Sequence, residues 1–155
     1  MTENREGHTA RLLPDGTVLV AGGGINARGT VGTEIYHPNV LIPAPVLFSL
    51  SGDGRGQGAI WHAQSGQIAS AGNPAVAGEI LSMYTTSLVD GGVIPPQIAV
   101  GGRLAEVLYH GAAPGYPGYY QVNVRVPNGV PPGPVVPRRL TYLGRSSNAV
   151  TLSVQ

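Results

Sequence analysis

The chain has 155 residues, of which 24 are Gly and 14 are Pro, about a quarter of the total, while charged residues make only 11%. Its nine basic residues are all Arg and face eight acids, for a net charge of +1, which argues against the basic face an electrostatic nucleic-acid binder needs. Cys is absent, which removes disulfides, zinc–thiolate sites, iron–sulfur ligation and Cys nucleophiles together, while 42% hydrophobic residues allow a core.

The N-terminus, Met1-Thr2-Glu3-Asn4-Arg5-Glu6-Gly7, is polar with no apolar stretch behind it, so no signal peptide is read in this chain. No run approaches the ~18 apolar residues of a membrane span. Helical periodicity is nearly absent, and short strands dominate. Thr17 to Ala21 is a strand between the turn Pro14-Asp15-Gly16 and the stop Gly22-Gly23-Gly24, and its run Val18-Leu19-Val20 suits burial on both faces. Thr33 to Tyr36 is a second strand, stopped by His37-Pro38. The stretches Leu41 to Pro45 and Ser51 to Gly56 read as connections, with the organisational boundary near Val40. Gln57 to Ala63 and Gln67 to Ser70 flank Gln64-Ser65-Gly66 as a hairpin. Glu79 to Thr85 is a further strand, and Gln97 to Val100 and Leu104 to His110 flank the tight turn Gly101-Gly102-Arg103.

Tyr119 to Val126 alternates with period 2: Tyr120, Val122, Val124 and Val126 on one face, Tyr119, Gln121, Asn123 and Arg125 on the other. Val150, Leu152 and Val154 alternate in the same way. In Val135 to Leu143, Arg138 falls by simple counting on the face of Leu140 and Tyr142, but Pro137 lacks an N–H. An edge position or a bulge is expected there, shifting the register, with Arg138-Arg139 a solvated basic spot or an edge guard. Turn clusters recur about every 8–12 residues from Gly72 onward, the spacing of a sandwich or barrel of short antiparallel strands.

Two stretches carry family resemblances. Gly7-His8-Thr9-Ala10, Leu12-Leu13-Pro14-Asp15-Gly16, Val18-Leu19-Val20-Ala21-Gly22-Gly23 and Thr33-Glu34-Ile35-Tyr36-His37-Pro38 resemble part of a bacterial kelch repeat, with His37 where an Asp is usual. One kelch unit makes one propeller blade, and a lone blade leaves its faces uncovered. Gly58-Ala59-Ile60, Asn73-Pro74-Ala75, Gly78-Glu79-Ile80-Leu81, Pro95-Pro96, Gly101-Gly102, Gly111 to Gly115, Gly118 to Val124, Val126-Pro127 and Ser147 to Thr151 resemble the C-terminal immunoglobulin-like (IPT/TIG-like) domain of large secreted proteins of soil bacteria. The two resemblances together imply an extracellular or cell-surface location within a longer precursor. The expected fold is all-β, an immunoglobulin-like antiparallel sandwich over 56–155 behind a linker at 41–55 and a blade-like segment at 1–40.

Chemistry-bearing residues are sparse. His8, His37, His62 and His110 show no metal-ligand spacing, and the eight acids are scattered. Asp15 and Asp90 precede Gly and read as turn formers, while Asp53 in Ser51-Gly52-Asp53-Gly54 lacks the further acids of a calcium loop. Gly22 to Gly29 resembles a nucleotide loop only in its glycines, and no GxSxG elbow occurs. No catalytic residue, metal or cofactor is therefore expected. Tyr109, Tyr116 and Tyr119, beside a Pro/Gly-rich turn, and Trp61 are the expected ligand or partner surface, since exposed aromatics stack on sugar rings or on a partner. The expected function is a non-catalytic structural or binding module of a kelch-propeller protein, contacting protein or carbohydrate, with self-association through residues 1–40. The alternative is a C-terminal fragment of an enzyme similar to the galactose-oxidase-type copper radical enzymes: Pro117 to Tyr120 and Gly129-Val130-Pro131 resemble their C-terminal domain. That likeness would make His110 or His62 a metal ligand, with the remaining catalytic residues upstream.

Overall fold

The computed structural model describes residues 5–14, 17–25, 28–29, 32–36, 43–88 and 94–155, and every helix or strand among them is a strand. The turn expected at Asp15-Gly16, the stop at His37-Pro38, the boundary residue Val40 and the turn at Asp90 lie outside the described residues. The chain divides into two compact units, Met1–Leu41 with Leu143–Arg145, and Ile42–Tyr142 with Ser146–Gln155.

In the first unit, β1 (Thr9–Leu12) pairs antiparallel with β2 (Val18–Ala21). After a two-strand ribbon of β3 (Gly24–Ile25) and β4 (Arg28–Gly29), β5 (Thr33–Tyr36) returns to the other side of β2. The glycines that end β2 have a steric cause. Gly23 sits at φ +86°, and a Cβ there would come within 2.8 Å of the Glu6 carbonyl oxygen, which accepts from the Gly24 N–H. Arg5 ties the segment before β1 to β5 through an ion pair with Glu34 at 3.2 Å and a hydrogen bond to the Gly32 carbonyl. Burial is thinner than Val18-Leu19-Val20 suggests: only Val20 is buried, Val18 and Leu19 are half-buried, and all of β1 is exposed.

The second unit is an antiparallel sandwich built from β6 (Ile60–His62), β7 (Ile80–Thr85), β8 (Gln97–Val100), β9 (Arg103–Ala112), β10 (Tyr120–Arg125), β11 (Gly133–Tyr142) and β13 (Val150–Val154), while the short β12 (Arg145–Ser146) falls at the division between the units. One sheet runs β6-β7-β10-β9 and the other β9-β8-β11-β13, because β9 serves both. Its first residues, Arg103 to Ala105, pair with β8, and Glu106 to Ala112 pair with β10. The sheets also join at the opposite side. Gly58 N–H donates to the Thr151 carbonyl and Thr151 N–H to the Gly56 carbonyl, while Ala75 N–H bonds the Ser153 carbonyl. The chain thus runs parallel to β13 before β6 enters the first sheet. This second cover also explains why Ser153 is buried although it alternates with Leu152 and Val154.

The period-2 reading matches β10, where Val122 and Val124 are fully buried; Leu81 and Met83 of β7 alternate in the same way at 1% exposure or less, and Ile60, Ile98, Val100, Leu140 and Leu152 are buried to the same degree. Two expectations are corrected. The stretch 43–55 is integrated into this unit rather than being a linker. Asn148 accepts from the Leu47 N–H (2.8 Å) and donates to the carbonyls of Leu47 (2.9 Å) and Gly54 (2.6 Å), and Leu47 is buried. Arg138 is no surface spot. The irregularity in β11 falls between Gly133 and Val136, upstream of Pro137, so simple counting holds and Arg138 points inward beside Val100 and Val150. Nor is β11 an edge, since β8 and β13 flank it.

Candidate functional site

The outward face of the first sheet carries the side chains left over by the inward alternation. Trp61, on β6, stands in register with Ser82 on β7, which stands opposite Asn123 on β10. Tyr84 and Gln121 form the next such row. Above them the sequence Ala113-Pro114-Gly115-Tyr116-Pro117-Gly118-Tyr119 folds into two consecutive turns. Each has Pro second and Gly third, with φ of +79° at Gly115 and +85° at Gly118. Tyr116 N–H donates to the Ala113 carbonyl and Tyr119 N–H to the Tyr116 carbonyl, both at 3.1 Å. That is the type II turn chemistry, used twice. It sets two tyrosines on a short, stiff arm over the sheet.

Between arm and sheet lies a cleft of about 670 Å³ lined by Trp61, Tyr84, Tyr116, Tyr119 and Phe48 together with Ser82 and His62. That volume falls within the ~300–1,000 Å³ of small-ligand sites. The rings hold one another edge to face. Trp61 meets Tyr84 at 5.4 Å and 75°, Tyr84 meets Tyr116 at 5.8 Å and 62°, and Phe48 meets Tyr119 at 5.4 Å and 66°. Beside Ser82 runs a polar ladder: Ser82 Oγ donates to Asn123 Oδ1 (2.8 Å), and Gln121 Nε2 donates to Ser82 Oγ (3.0 Å) and Asn123 Oδ1 (2.9 Å). These bonds fix the amides so that Gln121 Oε1, an acceptor, and Asn123 Nδ2, a donor, have no partner among the described residues.

His62 borders the cleft but is committed elsewhere. Its Nδ1 lies 2.5 Å from Glu79 Oε1 and its Nε2 3.1 Å from the Asn73 carbonyl. Glu79 in turn accepts from the Val76 N–H through Oε2. A metal at His62 would have to displace one of these partners. His110, the other histidine of the copper-enzyme alternative, is half-buried in β9 opposite Val122. Among the described residues, no three of His, Cys, Asp and Glu stand close enough to hold a metal ion. Asp53 closes its own turn, accepting from Ser51 Oγ (2.6 Å) and the Arg55 N–H (2.9 Å), and these bonds hold its carboxyl below the usual range.

Of the four residues expected to form a binding surface, the fold brings together Trp61, Tyr116 and Tyr119 and leaves out Tyr109. The Tyr109 ring lies over Gly111 on its own strand, and its hydroxyl donates to the Ala112 carbonyl at 3.1 Å. Tyr84, Phe48 and Ser82 were not anticipated. Tyr84 and Ser82 were legible as the outward alternates of β7, whereas Phe48 depends on the pinning of residues 47–54, which has no local pattern. Compared with protein-family models, curated proteins and solved structures, the chain matches none. Among the described residues, no helix is long and apolar enough to cross a membrane.

Proposed function

We propose that the chain is a non-catalytic binding module of a larger extracellular protein and that it meets its ligand in the aromatic cleft. The carrying observation is the cleft itself: five aromatic rings converge on one sheet face beneath a stiff turn, with no nucleophile–base pair or paired carboxylates among its lining residues. The reading of the second unit as an immunoglobulin-like, IPT/TIG-like domain is supported by β9 and by the segment before β6, which serve both sheets as strands of a closed sandwich do. The reading of the first unit as part of a kelch blade is supported by its three-stranded antiparallel sheet and by the glycine pair after β2. Association of this sheet with another copy is supported by the exposure of Leu12, Ile35 and Tyr36.

Trp61 is the chain's one tryptophan, so its emission reports occupancy of the cleft. A panel of peptides and glycans should contain a ligand that shifts this emission saturably and is recovered chemically unchanged by mass spectrometry. Turnover of the bound compound, or undiminished affinity in a folded Tyr84→Ala, Tyr116→Ala variant, would contradict the reading.

A further inference from the structure

The lining of the cleft narrows the ligand class, on the assumption that the cleft is the binding site. Its walls are apolar, yet their polar tips are unspent. Among the described residues, no hydrogen bond engages Trp61 Nε1–H or the hydroxyls of Tyr84, Tyr116 and Tyr119, although the same rings are locked by edge contacts. Tyr116 and Tyr119 are exposed and Trp61 and Tyr84 half-buried, so these polar ends are open to a bound molecule. Those four side chains line the cleft, and next to its Ser82 wall Gln121 and Asn123, hydrogen-bonded to Ser82 outside the lining, leave Oε1 as an acceptor and Nδ2 as a donor. The lining contains no Arg, Asp or Glu, and its one ionisable imidazole, His62, is held by Glu79 and the Asn73 carbonyl.

A ligand complementary to this surface has flat C–H faces for the rings and several hydroxyls, each able to donate and accept, at its edges. It carries no formal charge, because the cleft offers no counter-charge and desolvating an unpaired ion is costly. A peptide fits less well: its backbone has alternating donors and acceptors on a ribbon, and the outer edge of β6 beside the cleft is already taken, with His62 N–H donating to the Gln67 carbonyl and Ala69 N–H to the Ile60 carbonyl. We infer that the cleft binds a neutral polysaccharide, a chain of uncharged pyranose units stacked on the Trp61, Tyr84 and Tyr116 side and hydrogen-bonded along the Ser82–Gln121–Asn123 row.

The test applies the full chain to an array of neutral glycans, uronic-acid polymers and sulfated glycans, and then titrates the hits by calorimetry. Binding should concentrate on neutral glycans and resist added salt, since no ion pair is made. Tyr116→Ala, whose ring is 58% exposed and removable without opening the core, should weaken it about tenfold. Trp61→Ala should weaken it further, and an unchanged unfolding midpoint in Tyr116→Ala separates lost contact from lost fold. Salt-sensitive binding of acidic glycans alone would overturn the neutral class while leaving a binding module. Binding of no glycan, with a peptide still shifting the Trp61 emission, would overturn the carbohydrate inference and keep the binding reading. Silence of the cleft toward both would remove both.

Discussion

Arg138 is 1% exposed, and none of its three guanidinium nitrogens has a hydrogen-bond partner among the described residues. Burial pushes its pKa down to about 9. The unfolded chain therefore holds the proton more tightly, and stability rises with pH from about 9 up to the ordinary guanidinium range. At neutral pH the folded state bears the full cost of the buried charge. Arg138→Leu should stabilise the chain by about 1–4 kcal/mol in urea unfolding at pH 7. That advantage should shrink as the pH passes 9; a destabilised Arg138→Leu would mean that the guanidinium has a partner in solution. The inward position was legible by counting from Leu140, and only the bulge expected at Pro137 argued against it, whereas the irregularity lies upstream, between Gly133 and Val136. The companion test is Val122→Asp against Asn123→Asp. Val122 is fully buried, so an unpaired carboxylate there costs several kcal/mol and should unfold the chain. Asn123 uses its oxygen as acceptor for Ser82 and Gln121, which a carboxylate preserves, so its substitution should leave the circular dichroism of the native fold.

At the scale of elements, alternation made β10 legible because one of its faces is buried and the other is not. It could not reveal the connection at 43–55, where order comes from one side chain distant in sequence. Asn148→Ala removes three hydrogen bonds to Leu47 and Gly54 and should cost about 1–3 kcal/mol, visible as a lowered thermal midpoint and faster exchange of the Leu47 amide. The tyrosine arm was legible in principle, since Pro-Gly-Tyr-Pro-Gly-Tyr spells two type II turns, but its direction over Trp61 needed the bend of β9. Gly118→Ala places a Cβ at φ +85°, a strain of about 1–3 kcal/mol, and shifts Tyr119. Its effect on cleft affinity should exceed its effect on the thermal midpoint; unimpaired binding would show that the arm is not part of the site.

At the scale of the whole molecule, the two units have different amounts of core. Residues 42–155 contain nearly all the fully buried apolar side chains and should fold alone, giving an all-β circular dichroism spectrum and a cooperative melt. The described residues between 5 and 36 bury little apolar surface beyond Val20 and leave Leu12, Ile35 and Tyr36 exposed. Sedimentation should therefore find concentration-dependent association in the full chain and a monomer in 42–155; a full chain that stays monomeric would remove self-association through this sheet. The all-β class was legible from turn spacing, whereas the site was legible only in part: Trp61, Tyr116 and Tyr119 were expected, but Phe48 joins them from a distant segment with no local pattern. The cleft is the centre of the functional account, and one measurement tests it most directly: an amide and indole NMR spectrum of the full chain titrated with a soluble neutral hexasaccharide that binds on the array. The account predicts shifts concentrated at the Trp61 indole N–H, Ser82, Tyr84, Tyr116 and the Gln121 and Asn123 side-chain amides, with the strands of residues 5–36 unmoved. Shifts that spare Trp61 and gather elsewhere would contradict it.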